Sequence, residues 1–319
     1  MEARRADSLP EGDGWIYEPK WDGFRCLAFR AGNRVELLAK SGKPLHRYFP
    51  ELVEAVKSVP QDNFVVDGEI VIERGGKTEF DALQMRLHPA ESRISKLALE
   101  TPAELVLFDM LADPEAGNLL ALPLSERRNF LTSFVEAAGS PSMSLSRYTA
   151  DLVEAQRWLT AAGEGSTDGV VAKRLDDPYR PGERAMVKVK RLRTADCVVG
   201  GFRYLAARQQ VGSLLLGLYD DNGLLNHVGF TSTIANEERA ELTARLEALR
   251  EEPGFTGRAP GGPSRWSTER SGQWVPLRPQ LVVEVLFDHV TGERFRHGTR
   301  LVRWRSDKAP RQCRMDQLD

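Results

Sequence analysis

The sequence predicts an α+β domain over residues 1–194 followed by an all-β domain over residues 195–319, and three observations carry that division. In the first part, short β-rich runs and helical stretches interleave without the regular spacing of βαβ units. After about residue 194 the pattern changes to closely spaced strands with one helix among them. The length, 319 residues with 41% hydrophobic and 28% charged, suffices for two domains that each bury a core of their own.

Phe24 to Phe29 alternates as a strand does, Ala31-Gly32-Asn33 supplies turn residues, and Val35 to Leu38 returns, so this stretch reads as a hairpin. A helix fits Glu51 to Ser58. Phe64 to Val66 and Ile70 to Ile72 are β-rich on either side of Asp67-Gly68, and Leu105 to Leu111 is an apolar run suited to a buried strand. Two further helices fit Ser125 to Ala138, capped by Ser125 and ended by Gly139, and Ala150 to Ala162 before Gly163.

In the second part, Val198 to Tyr204, Ser213 to Asp220 and Leu224 to Phe230 read as strands, the last two joined by the hairpin signal Asp221-Asn222-Gly223. A charged amphipathic helix at about Asn236 to Arg250 and a Gly/Pro-rich loop from Pro253 to Pro263 follow. Strands at Leu281 to Phe287 and Arg300 to Trp304 complete the set. Five strands with a helix between the third and fourth is the element order of an OB-fold, a small barrel that often holds nucleic acid; another small β-barrel would share that order.

The balance of 44 Lys plus Arg against 46 Asp plus Glu, a net charge of −2, excludes a wholly basic wrapper of nucleic acid. Basic residues nonetheless gather locally, eight against three acids over 173–193 and eight against two over 291–314. Such clusters suit a phosphate backbone, although a charge run is more often a solvated face. Cys26, Cys197 and Cys313 are odd in number and widely spaced, which excludes a four-cysteine zinc site and speaks for a reducing compartment. The five histidines show no metal-ligand spacing. No secretory signal and no apolar run of about 18 residues is present, so a cytoplasmic protein without a membrane partner is expected.

The most informative stretch is Glu18-Pro19-Lys20-Trp21-Asp22-Gly23-Phe24-Arg25. A lysine beside an Asp-Gly turn, directly before a strand, would stand at the mouth of a sheet with its amine toward a ligand, although a lone Lys-x-Asp-Gly is more often an exposed lysine in a β-turn. Lysine attacks only as the neutral amine, so such a site needs desolvation or neighbouring cations to lower its pKa. Alternation puts Lys188 and Lys190 on one strand face, where they would supply such cations, and a solvated strand face shows the same alternation.

Lys20-Trp21-Asp22-Gly23-Phe24-Arg25 resembles motif I of the covalent nucleotidyltransferases, the superfamily of ATP-dependent DNA ligases, RNA ligases and mRNA capping enzymes. The resemblance implies that residues 1–194 form a nucleotidyltransferase (adenylation) domain and 195–319 an OB-fold domain. It implies that Lys20 attacks the α-phosphate of ATP and carries AMP as a phosphoramidate, with Glu18 and Arg25 beside the bound nucleotide. Further segments follow in the family's order. Asp67-Gly68-Glu69 resembles motif III, which implies that Glu69 contacts the ribose and a metal ion. Phe108 in Leu105 to Leu111 resembles the aromatic that stacks on the purine. Gly165 to Lys173 resembles motif IV, with Asp168 where the family usually presents glutamate, and implies a Mg²⁺ or Mn²⁺ ligand there. Arg184 to Lys190 resembles motif V, which implies that Arg184, Lys188 and Lys190 grip phosphate. Met186 stands where tryptophan is common, and Lys40 replaces an expected arginine as a nucleotide contact. Arg305, Asp307 and Lys308 resemble motif VI, which implies that the OB domain orients the departing pyrophosphate.

These segments run from residue 18 to residue 308. The wording of Lys20 to Arg25, the run Lys43 to Glu51 and Arg193 to Val199 are most similar to small bacterial C-type ATP-dependent DNA ligases, relatives of the ligase domain of D-type end-joining enzymes. The resemblance implies sealing of 5′-phosphate/3′-hydroxyl nicks in duplex DNA, in repair, by a monomer recruited by repair proteins. A guanylyltransferase, an RNA ligase and a non-enzymatic OB-fold nucleic-acid-binding protein are the alternatives.

Overall fold

A computed structural model describes residues 1–163, 165–206, 208–261 and 273–318. Two compact units divide the chain, Met1–Arg191 and Leu192–Asp319. The strand Arg193–Leu205 belongs to the second and runs through the position between residues 194 and 195.

The first unit is built on two sheets. One has four strands in the order Ala3–Arg5, Met186–Lys190, Thr167–Arg174, Trp15–Trp21. The other runs Met143–Leu145, Glu104–Asp113, Asn63–Val71, Phe24–Ala31, Arg34–Ala39. Lys20 stands before the strand Phe24–Ala31, as expected from sequence, and also lies near the end of a strand that the sequence reading lacked, Trp15–Trp21. Glu18, Pro19 and Lys20 disguise that strand. It is tolerated because it is a sheet edge, where proline removes no needed ladder bond. Asp22-Gly23 then carries the chain from one sheet into the other.

The β-rich runs on either side of Asp67-Gly68 are one continuous strand, Asn63–Val71. Its pairing with Glu104–Asp113 shifts register between Asp67 and Gly68, where the partner strand bulges at Phe108. The helix Leu124–Ala138 starts after Pro123, so Ser125 lies inside it and is not the cap, while Gly139 ends it in the left-handed conformation at φ 54°. The helix Leu152–Ala161 is capped by Asp151, whose carboxylate accepts from Val153 N at 2.8 Å. Two helices that the sequence reading lacked, Phe80–Arg86 and Glu91–Glu100, lie between the central strands. One core packs Leu37, Phe49, Leu52, Phe64 and Leu105 around the larger sheet, and a second packs Tyr17, Val170, Val187 and Val189 against Ala155 of the last helix.

The second unit has the expected five strands, Arg193–Leu205, Arg208–Tyr219, Leu225–Thr231, Val282–Phe287 and Arg300–Trp304, with the helix Arg239–Glu247 between the third and fourth. They pair in the order third, second, first, fourth, fifth. A parallel bridge between Thr231 and Thr299 brings the ends of that path together, reinforced by Thr231 Oγ1 donating to Thr299 O at 3.0 Å. The sheet therefore closes as a barrel of the OB type. Of the Gly/Pro-rich loop, Gly262 and Pro263 lie outside the described residues. Among the described residues no helix is long and apolar enough to cross a membrane.

Candidate active site

Strand register assembles the site. Gly169 pairs with Lys20 on one side and Lys190 on the other, and Val171 pairs with Glu18 and Lys188. Lys20 and Lys190 thus flank the Thr167–Arg174 strand at one level. Asp168 lies between them, its Oδ1 2.8 Å from Lys20 Nζ and its Oδ2 2.8 Å from Lys190 Nζ. The two Asp-Gly pairs here need their glycines. A Cβ on Gly169 would lie 2.2 Å from Val189 O, and one on Gly23 would lie 2.1 Å from Ile70 O. Close backbone approach is what the motif wording encodes at these positions.

A pocket in the first unit is lined by Glu18, Lys20, Arg25, Lys40, Glu69, Phe108 and Lys188 among the residues anticipated from sequence, together with Glu2, Trp21, Lys173 and Met186. Phe108 is half-buried while Leu107 and Asp109 on either side are buried, so its ring faces the pocket instead of the core. The Lys173 ammonium lies 4.5 Å from the centroid of that ring and the Arg25 guanidinium 5.8 Å from it. Glu18 is buried and holds two cations, Arg128 Nη1 at 2.7 Å and Lys173 Nζ at 2.8 Å. Arg25 forks onto Asp67 through Nε at 3.0 Å and Nη2 at 2.6 Å, and Tyr179 donates to the same carboxylate at 2.8 Å.

Electrostatics divides the carboxylates. Burial opposes ionisation of Asp168, but Lys20 and Lys190 outweigh it and hold its carboxyl below the usual range. Glu69, opposite Arg25 in the sheet, is pushed up to about 8 by loss of hydration, against the pull of Lys20 and Arg25. Burial, followed by Lys20 and Lys190, lowers the pKa of the Lys188 ammonium.

Other residues singled out from sequence are not among those that line the pocket. Arg184 is exposed and 4.0 Å from Glu2, whereas Lys40 reaches Glu2 at 3.2 Å from the pocket wall. Arg305, Asp307 and Lys308 belong to the second unit, where Asp307 receives Arg305 Nε at 2.9 Å and Nη2 at 2.8 Å. Asp196 receives Arg305 Nη1 at 2.9 and 3.0 Å and Lys308 Nζ at 2.7 Å.

The arrangement is a lysine in a cationic pocket with an aromatic platform and two carboxylates, next to a barrel in sequence. A family model described as ATP dependent DNA ligase domain matches residues 3–190, and one described as ATP dependent DNA ligase C terminal region matches residues 207–308. The chain belongs to the ATP-dependent DNA ligases. The ligase is 43% identical to DNA ligase C2 of Mycolicibacterium smegmatis over 100% of this chain and 93% of that one. It is 42% identical to DNA ligase C of Mycobacterium tuberculosis over 95% of this chain and 89% of that one. Among solved structures, the ligase domain of M. tuberculosis LigD is 26% identical, with a TM-score of 0.51 over 98% of this chain and 96% of that one. The fold is accordingly a nucleotidyltransferase domain followed by an OB-fold-type domain, as in structures of this family.

The site also contains residues that sequence reasoning passed over. Lys173 ends the motif IV segment and shares a strand face with Val171, a period-two signal that would have placed it in the pocket. Glu2 and Arg128 carry no local signal. Glu2 arrives because Ala3–Arg5 pairs in parallel with Met186–Lys190, and Arg128 because its helix packs behind Phe108 and Ser146.

Proposed function

We propose that this ligase seals 5′-phosphate/3′-hydroxyl nicks in duplex DNA through a lysyl-AMP intermediate on Lys20. Lys20 on the wall of the pocket that Lys188 also lines, with its Nζ 2.8 Å from Asp168 Oδ1, is the observation that carries the reading. Lys20 is paired with a carboxylate, so it must leave Asp168 and attack as the neutral amine, through its lone pair. The new N–P bond then replaces the bond from the α-phosphorus to pyrophosphate. AMP next passes to the 5′-phosphate of the nick, and the 3′-hydroxyl displaces it to form the phosphodiester.

Each side chain has a part suited to its chemistry. Phe108 offers its face to the adenine, and Glu69 accepts from a ribose hydroxyl. Lys188 and Lys190 oppose charge developing at phosphorus. Arg25 and Glu18, held by Asp67, Arg128 and Lys173, fix the walls on either side of Lys20. Lys40 and Arg184 extend the positive rim, and Arg305, Asp307 and Lys308 orient the departing pyrophosphate.

Glu69 and Asp168 are the candidate ligands for Mg²⁺ or Mn²⁺. Among the described residues no three metal-ligating side chains come together. That fits an ion such as Mg²⁺, which takes one or two protein carboxylates and completes its shell with water and nucleotide phosphate. The desolvated Glu69 carboxyl is a group that a cation would stabilise in its charged form. When bound, the ion would neutralise charge on the reacting phosphates.

Incubation with labelled ATP and Mg²⁺ or Mn²⁺ tests the reading. The protein should gain a covalent adenylate that Lys20→Ala abolishes, and equal labelling of the mutant would remove Lys20 from its role. Action in repair, recruitment by repair proteins and a monomeric state in the cytoplasm belong to the same proposal. Sedimentation of the purified chain checks the monomer.

A further inference from the structure

Asp196 stands in the Arg193 to Val199 segment, to which the reading above gives no task. Its side chain is mostly buried at 12% exposure and accepts from both cations of the Arg305 to Lys308 segment. Its backbone is clamped as well, because Gln317 Oε1 accepts from Asp196 N at 2.9 Å and Gln317 Nε2 donates to Asp196 O at 3.2 Å. The carboxylate is therefore a fixed point, set in the first barrel strand and pinned by the C-terminal turn Met315–Leu318.

We propose that Asp196 is a positioning residue for Arg305 and Lys308, holding the two cations as one preorganised fork for the triphosphate. Arginine and lysine are the side chains with most rotamer freedom to lose when they grip a ligand. Here Asp307 takes the Nε and Nη2 edge of Arg305, and Asp196 takes Nη1 together with Lys308 Nζ. Lysine carries three donors and arginine five, so both cations retain donors beyond the bonds to these two carboxylates. A phosphate can bind without displacing the carboxylates that aim the fork. Only a charged carboxylate can balance two cations at once, which distinguishes aspartate from its amide. The inference rests on the reading that Arg305 and Lys308 handle the pyrophosphate.

Two half-reactions of the full-length ligase separate this from a structural role. Single-turnover formation of the lysyl-AMP at varied ATP uses the triphosphate, whereas sealing of a nick already carrying AMP on its 5′-phosphate does not. Asp196→Ala and Asp196→Asn should slow adenylation by about tenfold or more and raise the pyrophosphate concentration needed to reverse it. Sealing of the pre-adenylated nick should stay within about twofold, and Asp196→Glu should recover part of the lost adenylation rate. Equal loss in both half-reactions would assign Asp196 to folding alone and overturn the proposal. Unchanged or faster adenylation would overturn it too, the faster rate meaning that Asp196 sequesters the cations. Failure of the unaltered protein to form an adenylate would instead count against the proposed nucleophile.

Discussion

Lys20 Nζ lies 2.8 Å from Asp168 Oδ1, and Lys190 Nζ occupies the other oxygen of the same carboxylate at 2.8 Å. The nucleophile proposed for the first step is thus stored as an ion pair, on a carboxylate that two ammonium groups keep ionised despite its burial. Removal of Asp168 would take from both ammonium groups the buried carboxylate they share. Asp168→Ala should lower the initial rate of AMP incorporation by about 100-fold or more, on the scale of losing one preorganised electrostatic group. Asp168→Glu keeps the charge and should stay within about tenfold. Rates of Ala and unaltered protein that coincide would remove Asp168 from the site.

Gly169 has no room for a side chain. Its absent Cβ would sit 2.2 Å from Val189 O, a backbone atom that cannot rotate away. Gly169→Ala should force the Thr167–Arg174 and Met186–Lys190 strands apart at the level of Lys20 and lower stability by about 1–3 kcal/mol. Thermal unfolding reads the loss, and an unchanged midpoint would contradict the geometry.

Glu69 gives stability a pH dependence. Its folded pKa is about 8 against an ordinary 4.5, raised by burial, so the folded state binds a proton that the unfolded state gives up. The resulting stabilisation is complete below about pH 4.5 and is lost as pH rises through about 8. Without metal or nucleotide, the unfolding midpoint should fall between pH 5 and 8.5 by more in the unaltered protein than in Glu69→Gln. Parallel profiles would show Glu69 to be solvated.

Arg128 shares the buried Glu18 carboxylate with Lys173 and also donates to Ser146 O at 2.8 Å. Truncation leaves Glu18 with one cation and strips Ser146 O of that donor. Arg128→Ala should destabilise the protein by about 3 kcal/mol, the scale for breaking a buried pair by removing one partner. Urea unfolding measures it, and a change below about 0.5 kcal/mol would mean that Lys173 alone satisfies Glu18.

Much of the architecture was legible locally. The five barrel strands and the helix Arg239–Glu247 follow from alternation, the Asp221-Asn222-Gly223 turn and the breaker-rich loop, all signals confined to neighbouring residues. The strand Trp15–Trp21 was not, because Glu18, Pro19 and Lys20 spoil its alternation; the charges are matched by Arg128, Lys173 and Asp168 far along the chain. Asp67-Gly68 has the composition of a turn and is continuous strand, because pairing with Phe24–Ala31 on one side and Glu104–Asp113 on the other holds it extended, the bulge lying at Phe108 of the partner strand. Lys20, Glu69, Phe108, Lys188 and Lys190 were legible as residue types in order, whereas Glu2 and Arg128 enter through pairing and packing that leave no spacing signal.

The sequence by itself determined which chemistry is on offer, namely a lysine beside an Asp-Gly pair, two carboxylates, an aromatic and alternating lysines, because residue type and strand period are local properties. Tertiary structure alone decided which charges meet. Register across three strands put Lys20 and Lys190 on one carboxylate, and pairing of the first, fourth and fifth barrel strands, with the C-terminal turn, put Asp196 between Arg305 and Lys308. Coulomb energy and desolvation depend on distance and burial, and neither is written in the separation of two residues along the chain.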